Sequence, residues 1–299
     1  MREAYFIPET LEEAAALLER YAGAARVVGG GTDYFVDESH NGARVLVDVT
    51  RLRGLREVRQ EGDDVVIGCG ATHAQIVASP LVQQGGTALA EACGQIGGPQ
   101  VRNVATLAGN IAHALPAADG TLALLALGGE VQVAWAEHGA LHTEWLPLAQ
   151  AFKGPGQSAI DSTRQIIAAA RFRPTGSGEA SAFARVMRPQ GVALPIMGLA
   201  VRLALTSEGL VSRVRIATGP AGPVPFRAEQ TEAFLLGHAL DEATLAQAAE
   251  VLLGEVRLRT SPHRATAEYR REILPVLLRR ALLTAQARCA VPAPQGALL

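Results

Sequence analysis

Two glycine-containing segments that lie far apart in the sequence constrain this chain more than any other feature. The first is Val28–Asp33 (VGGGTD) and the second is Gln100–Asp119 (QVRNVATLAGNIAHALPAAD). Glycine allows positive φ and lets an anion approach the main chain, and successive amide N–H groups form a nest for phosphate oxygens. Together the segments predict a two-loop cradle for the pyrophosphate of a dinucleotide. A tight turn without a ligand is the alternative for the first segment taken alone.

The side chains of the second segment add hydrogen-bonding groups to this cradle. Thr106 and Asn110 can donate to phosphate or ribityl oxygens, and Asp119 can accept from a sugar hydroxyl. As an alternative, Asn110 and Asp119 cap the apolar helix that follows. The predicted cradle comprises Val28, Gly29, Gly30, Gly31, Thr32, Asp33, Thr106, Ala108, Gly109, Asn110 and Asp119. Neither GxGxxG after a strand nor GxxxxGK[ST] occurs, which argues against a nicotinamide Rossmann site and a P-loop.

The pattern of predicted helices and strands divides the chain into three parts. Residues 1–55 form a small βα unit, with a helix that begins at the capping-box pattern Thr10–Glu13. Residues 56–175 form a second α/β unit, in which residues 100–119 are predicted to be a loop. The Gly- and Ser-rich stretch Thr175–Glu179 predicts a boundary. In residues 180–290 three strands precede three helices, which favours an α+β domain with its helices on one face of an antiparallel sheet.

Composition and charge exclude several classes of function. The net charge of −2 over 299 residues, with acids and bases interspersed, argues against a nucleic-acid surface. There is no apolar run of about 18 residues and no apolar signal core at the N-terminus, so we expect no transmembrane segment and a cytoplasmic protein. Cys69, Cys93 and Cys289 form no CxxC pair, which argues against an iron–sulfur cluster carried by this chain.

Several motifs resemble those of the flavin-binding (medium) subunit of the molybdenum hydroxylase family, which includes xanthine dehydrogenases and aerobic carbon monoxide dehydrogenases. Gly29–Asp33 matches the family's AGGTD loop, and Gly70–His73 matches its GAxTT turn. Val101–Asp119 matches its IRNxATxGGNxxxxxPxxD signature. In the C-terminal half, Arg213–Arg227 resembles the GGVAPxPxR turn and Tyr269–Arg280 the YR…RAL helix. The resemblance covers nearly the whole chain.

This resemblance implies a fold, a cofactor and partner chains. The fold is a vanillyl-alcohol-oxidase (PCMH)-type FAD-binding domain of two α/β subdomains, followed by a C-terminal α+β domain with a three-stranded antiparallel sheet and helices. FAD is the implied cofactor, with its pyrophosphate in the cradle, Asp119 at the ribityl or ribose region and Arg185 near the flavin ring. Electrons pass from 2Fe-2S clusters on a separate small subunit through FAD to an acceptor, while hydroxylation takes place on a molybdopterin-binding large subunit. The resemblance assigns no catalytic residue and no metal ligand to this chain.

The chain departs from the family pattern at several positions, including one in the predicted cradle and one in the GAxTT turn. Ala108 replaces the first glycine of GGN, and His73 replaces the second threonine of GAxTT. His113 lies inside the signature, and we interpret it as a polar packing residue because flavin electron transfer needs no general base here. Two other functions stay open at this point: a self-sufficient flavin oxidoreductase of the same fold, and a non-redox scaffold that has lost FAD.

Overall fold

The computed structural model of the chain describes residues 3–36, 42–188 and 194–289. Their strands form three main sheets and one small hairpin. We describe the three sheets in chain order, because the candidate site lies where their elements meet.

The first part is a parallel three-stranded sheet with one helix. Its elements are β1 (Ala4–Phe6), α1 (Leu11–Arg20), β2 (Ala25–Val28) and β3 (Val45–Asp48), and the strand order is β1-β3-β2. The Thr10 hydroxyl caps α1 by accepting from the Glu13 amide, as predicted. The Glu13 carboxylate, however, accepts from the Glu9 amide rather than from Thr10, so the capping box is incomplete. The prediction did not include β1, whose three residues show no clear alternation.

The second part is an antiparallel five-stranded sheet in the order β4-β5-β10-β6-β7. Its strands are β4 (Val58–Glu61), β5 (Asp64–Gly68), β6 (Glu130–Glu137), β7 (Ala140–Pro147) and β10 (Ile166–Phe172). A 3-10 helix (Leu148–Ala151) leads into the small hairpin of β8 (Phe152–Gly154) and β9 (Gln157–Ser158). The strands β6 and β7 form an antiparallel hairpin.

Six short helices connect β5 to β6. They are α2 (His73–Ala78), α3 (Pro80–Gly85), α4 (Thr87–Gly94), α5 (Pro99–Arg102), α6 (Leu107–Ala112) and α7 (Asp119–Ala126). The Thr72 hydroxyl caps α2 by accepting from the Gln75 amide. The prediction of a loop over residues 100–119 is wrong, because the Thr106 hydroxyl caps α6 and Asp119 is the first residue of α7. Every residue of α7 is buried, in agreement with its apolar sequence.

The third part is an antiparallel sheet with helices. Its elements are β11 (Glu179–Met187), β12 (Pro195–Leu205), β13 (Val211–Gly219), β14 (Phe226–Arg227), α8 (Glu229–Leu235), α9 (Glu242–Glu255) and α10 (Ala267–Cys289). The sheet has four strands rather than the three predicted, because the two-residue β14 pairs with β13.

Helices cover both faces of this third sheet, whereas the sequence predicted helices on one face. The apolar side chains of α8, α9 and α10 pack on one face. On the other face, Phe183, Ala200 and Ala217 join the core of the second part, to which α4 and α7 belong. The Arg288 guanidinium in α10 ion-pairs with Glu91 of α4. The second and third parts are therefore joined by a common apolar core and by an ion pair. None of the described helices is long and apolar enough to cross a membrane.

Candidate functional site

A cavity of about 640 Å³ is lined by residues from all three parts of the fold. All twelve residues predicted for cofactor binding lie on its wall. These are Val28, Gly29, Gly30, Gly31, Thr32, Asp33, Thr106, Ala108, Gly109, Asn110, Asp119 and Arg185. The structure therefore brings the predicted set together in one place.

The first glycine segment follows directly from the end of β2. Gly31 has a φ of +70°, a conformation that favours glycine. Gly30 is required for a different reason, since a Cβ at this position would overlap the carbonyl oxygen of Val104. The main chain of the first segment thus rests directly on the main chain of the second.

The second segment is held by the start of α6 and by the turn before α2. The Thr106 hydroxyl accepts from the Gly109 amide at 3.0 Å. Thr106 also pairs with Thr72 in an isolated β-bridge, and the His73 amide donates to the Ala105 carbonyl at 3.0 Å. All three motif segments of the N-terminal half therefore converge at this end of the cavity.

The Ala108 methyl packs against the apolar cores on two sides of the second segment. Ala108 thus combines a place on the cavity wall with a packing role that glycine would not fill. Asn110 also has a structural contact: its Oδ1 accepts from the Thr121 amide at 3.1 Å and from the Thr121 hydroxyl at 3.0 Å. This contact fits the capping alternative for the oxygen of Asn110. Within the described chain no hydrogen bond engages its amide nitrogen, which keeps its donors available to a ligand.

Two histidines lie beside this part of the cavity. His73 is buried, with its Nδ1 3.3 Å from the Cys93 Sγ. Burial, and secondarily the positive charge of Arg102, lower the pKa of His73 to about 4, so that its ring is neutral at pH 7. The Nε2 of His113 lies 4.0 Å from Oδ1 of Asp33, which links the two glycine segments. This placement agrees with a polar packing role for His113.

Charged side chains meet at another part of the cavity wall. Asp119 and Arg185 form an ion pair in which both side chains are almost fully buried. Burial raises the pKa of Asp119 to about 6, although Arg185 and, more weakly, Arg264 act in the opposite direction. The Oδ1 atom of Asp119 is buried and receives no hydrogen bond from the described residues. A buried acceptor without a donor is costly, and a ligand hydroxyl or N–H group would satisfy it.

Three further cations of the cavity wall were missed in the sequence analysis, and the first of them, Arg26, lies on β2. Arg264 lies between α9 and α10, and Lys153 lies on β8. Nothing in the local sequence of Arg264 indicates that it reaches the cavity. Lys153 does have one distinguishing property, because it is the only lysine in the sequence. Among the described residues no group of three His, Cys, Asp or Glu side chains could hold a metal ion.

The cavity has properties that an FAD molecule requires. Its volume lies in the range of about 300–1,000 Å³ that is typical of small-molecule sites. The glycine segments leave no room for a side chain at Gly30 and offer main-chain N–H groups to phosphate oxygens. The unsatisfied Asp119 Oδ1 offers an acceptor to a ligand donor. These residues therefore fit the cofactor that the sequence resemblance implies.

Comparisons with known proteins agree with this interpretation. The family described as the FAD binding domain in molybdopterin dehydrogenase matches residues 1–172, and the CO dehydrogenase flavoprotein C-terminal domain matches residues 181–285. The nicotine 6-hydroxylase medium subunit of Paenarthrobacter nicotinovorans is 31% identical over 288 residues, covering 95% of this chain and 97% of that one. The carbon monoxide dehydrogenase medium chain of Hydrogenophaga pseudoflava is 29% identical over 96% and 98% of the two chains.

Solved structures confirm the predicted fold class. A chain of carbon monoxide dehydrogenase from Hydrogenophaga pseudoflava, in a form that lacks the Mo-pyranopterin moiety of the molybdenum cofactor, superposes with a TM-score of 0.88 at 29% identity. The match covers 97% of this chain and 99% of that one. The chain therefore belongs to the family of FAD-binding domains of molybdopterin dehydrogenases, and it is an oxidoreductase subunit with a PCMH-type α+β fold and FAD as its cofactor.

Proposed function

We propose that this chain is the electron-transfer subunit of a multi-subunit molybdenum hydroxylase. In this proposal a small partner chain with 2Fe-2S clusters delivers electrons to FAD, and FAD passes them to an external acceptor. A large molybdopterin-binding chain carries out the hydroxylation. The observation that carries the proposal is the convergence of both glycine segments and the buried Asp119–Arg185 pair on one cavity. The names "medium chain" and "medium subunit" of the relatives support a role beside partner chains.

We assign the FAD pyrophosphate to the two glycine segments. Main-chain N–H groups of Gly30–Asp33, with the Thr32 hydroxyl, would donate to the phosphate oxygens. The Gly109 amide already donates to Thr106, so Gly109 would serve by letting the phosphate approach the main chain. The amide nitrogen of Asn110 adds a donor, while its oxygen orients the first turn of α7. This part of the site binds and orients the cofactor without supplying a formal positive charge.

We assign the polar groups of the cofactor beyond the pyrophosphate to Asp119 and Arg185. Asp119 Oδ1 would accept from a hydroxyl of the ribityl or ribose region, and the ion pair keeps the second carboxylate oxygen occupied. Bound FAD supplies the capacity to take up two electrons and release them to an acceptor. The protein fixes the position of the cofactor, excludes water from it and sets the charge around it.

The primary test is FAD binding by the purified chain, followed by desalting and an absorption spectrum. We expect flavin bands that correspond to about one equivalent of FAD. A colourless protein that folds normally would contradict the assignment and favour a scaffold without FAD.

The single lysine allows the site itself to be located. An amine-reactive acylating reagent followed by peptide mapping reports the accessibility of Lys153, and the N-terminal amine serves as an internal control. We expect FAD to slow acylation of Lys153 and to leave the N-terminal amine unaffected. Stoichiometric FAD without protection of Lys153 would place the cofactor outside this cavity.

The partner chains require a separate measurement. The tagged chain would be isolated from its native cells, and molybdenum, iron and flavin would be quantified in the eluate. Molybdenum and iron that co-elute in fixed ratios to FAD are expected for the complex. Flavin without either metal, together with turnover of a substrate by the isolated chain, would favour the self-sufficient oxidoreductase.

A further inference from the structure

Arg264 is a cation that the third part of the fold contributes to the cavity. It lies in the connection between α9 and α10, it is half-buried, and it forms part of the cavity wall. Its main chain is fixed by a turn, in which the Arg264 amide donates to the Ser261 carbonyl at 3.2 Å. The Arg188 guanidinium also donates to the Arg264 carbonyl, at 3.4 Å. Within the described parts of the chain, no hydrogen bond engages the Arg264 guanidinium, and the residue lines the cavity.

The charges around Arg264 do not cancel. Asp119 and Arg185 neutralise each other in their ion pair. In the described parts of the chain no carboxylate lies within ion-pair distance of the Arg264 guanidinium. Arg259 adds a further positive charge nearby, and burial followed by Arg259 lowers the pKa of Arg264, whereas Asp119 raises it. The group formed by Asp119, Arg185 and Arg264 therefore carries a net charge of about +1 on the cavity wall.

An uncompensated, half-buried cation favours whichever state of a ligand is more negative. Reduction of FAD by two electrons and one proton adds one negative charge to the cofactor. In the proposed complex the electrons come from the iron–sulfur partner chain, and in a test they come from dithionite. A cation next to the cofactor stabilises the product of that step more than its reactant, and thereby raises the reduction potential.

We propose that Arg264 sets the reduction potential of the bound FAD by supplying the positive charge that the Asp119–Arg185 pair does not. This inference rests on the proposed function, because it requires FAD in the cavity. It assigns to the C-terminal part of the chain a direct effect on the cofactor, which the glycine segments do not exert in this way because neither places a Lys or Arg on the cavity wall.

The test compares Arg264→Gln with Arg264→Lys and with the control Arg259→Gln. Arg259 is exposed, lies on the same connection and is not part of the cavity wall. Each variant is reconstituted with FAD and titrated with dithionite in the presence of an indicator dye. We expect the midpoint potential of Arg264→Gln to become more negative, with the affinity for reduced FAD falling relative to that for oxidised FAD on the order of tenfold. Arg264→Lys should lie closer to the wild type, and Arg259→Gln should shift the potential much less than Arg264→Gln because its exposed charge lies off the cavity wall.

A variant with the opposite charge effect keeps the test decisive if Arg264→Gln does not fold. Asp119→Asn removes the negative charge of the group, so its midpoint potential should become more positive than that of the wild type. The inference is overturned if Arg264→Gln matches Arg259→Gln, if it weakens oxidised and reduced FAD equally, or if Asp119→Asn moves the potential to more negative values. A wild-type chain that retains no FAD would instead refute the proposed function on which the inference depends.

Discussion

The glycine segments and the Asp119–Arg185–Arg264 group line the same cavity but are built by different means. The glycine segments present main-chain groups, and their tight contact excludes side chains. The charged group consists of side chains from α7, β11 and the connection before α10. The first arrangement depends on the absence of Cβ atoms, and the second depends on the assembly of three distant elements. We therefore expect substitutions in the glycine segments and substitutions in the charged group to impair the site in different ways.

The largest effect is expected from Gly30→Ala. Its methyl group would overlap the Val104 carbonyl oxygen, which belongs to the main chain and cannot rotate away. The two segments would have to separate, so we expect loss of FAD together with a lower melting temperature. Gly254→Ala is the matched control, since a Cβ at this position in α9 meets nothing within 4 Å. Normal FAD binding by Gly30→Ala, measured after desalting, would show that the contact between the segments is not needed for the site.

Gly31→Asp should abolish FAD retention while changing the melting temperature less. The residue has a φ of +70°, which Asp and Asn tolerate better than other side chains, and its Cβ would meet only the ring of the exposed Phe35. The added carboxylate would face the pyrophosphate. Gly31→Asn has nearly the same shape without the charge, so it should retain substantially more FAD, as titration of flavin fluorescence can measure. Equal losses in the two variants would attribute the effect to the backbone instead of to the anion.

Asp119→Ala should weaken FAD binding less than either glycine variant. We expect a loss of about 1–3 kcal/mol, because a buried donor of the cofactor would lose its acceptor. The same change leaves the buried Arg185 without its carboxylate partner, which should lower the free energy of unfolding by about 3–5 kcal/mol. Denaturant unfolding and FAD titration measure the two effects separately. A protein that is destabilised but binds FAD with unchanged affinity would assign Asp119 a purely structural role.

Of these substitutions, His73→Asn is expected to have the smallest effect at neutral pH. Its main effect should be on how stability changes with pH in acid. The pKa of His73 is lowered in the folded chain to about 4, whereas the unfolded chain has an ordinary value of 6.5. Between these values the unfolded state binds the proton, so His73 makes stability rise with pH, by on the order of 3 kcal/mol in total. Asp119 acts in the opposite sense between pH 4 and 6, because its pKa is raised by folding.

Unfolding free energies at several pH values separate these two contributions. In His73→Asn the increase in stability from pH 4 to 6.5 should shrink, and in Asp119→Asn it should grow. Parallel curves for the wild type and His73→Asn would show that the ring is not held neutral in the folded protein.

The two kinds of site also differ in how far the sequence predicted them. The glycine segments could be located from the sequence because the close contact and the positive φ require glycine itself. Arg264 was missed because its role depends on where the connection between α9 and α10 lies in space. The helix α6 was predicted as a loop, since its cap Thr106 is followed at the third position by Gly109 rather than by a helix-favouring partner. The two-residue β14 is defined by its pairing with β13, and no local sequence pattern predicts it.

The contact of Gly30 with the Val104 carbonyl has a consequence for how such chains diverge. At position 30 the contact requires that a side chain be absent. At position 104 the contact is made by the peptide group, which every residue type possesses. Substitution at position 104 cannot compensate for a change at position 30. Correlated substitutions between aligned sequences would therefore carry no record of this contact, although it joins the two halves of the cradle. A designer who diversified the cradle from covariation alone would be free to vary position 30, and would lose the site.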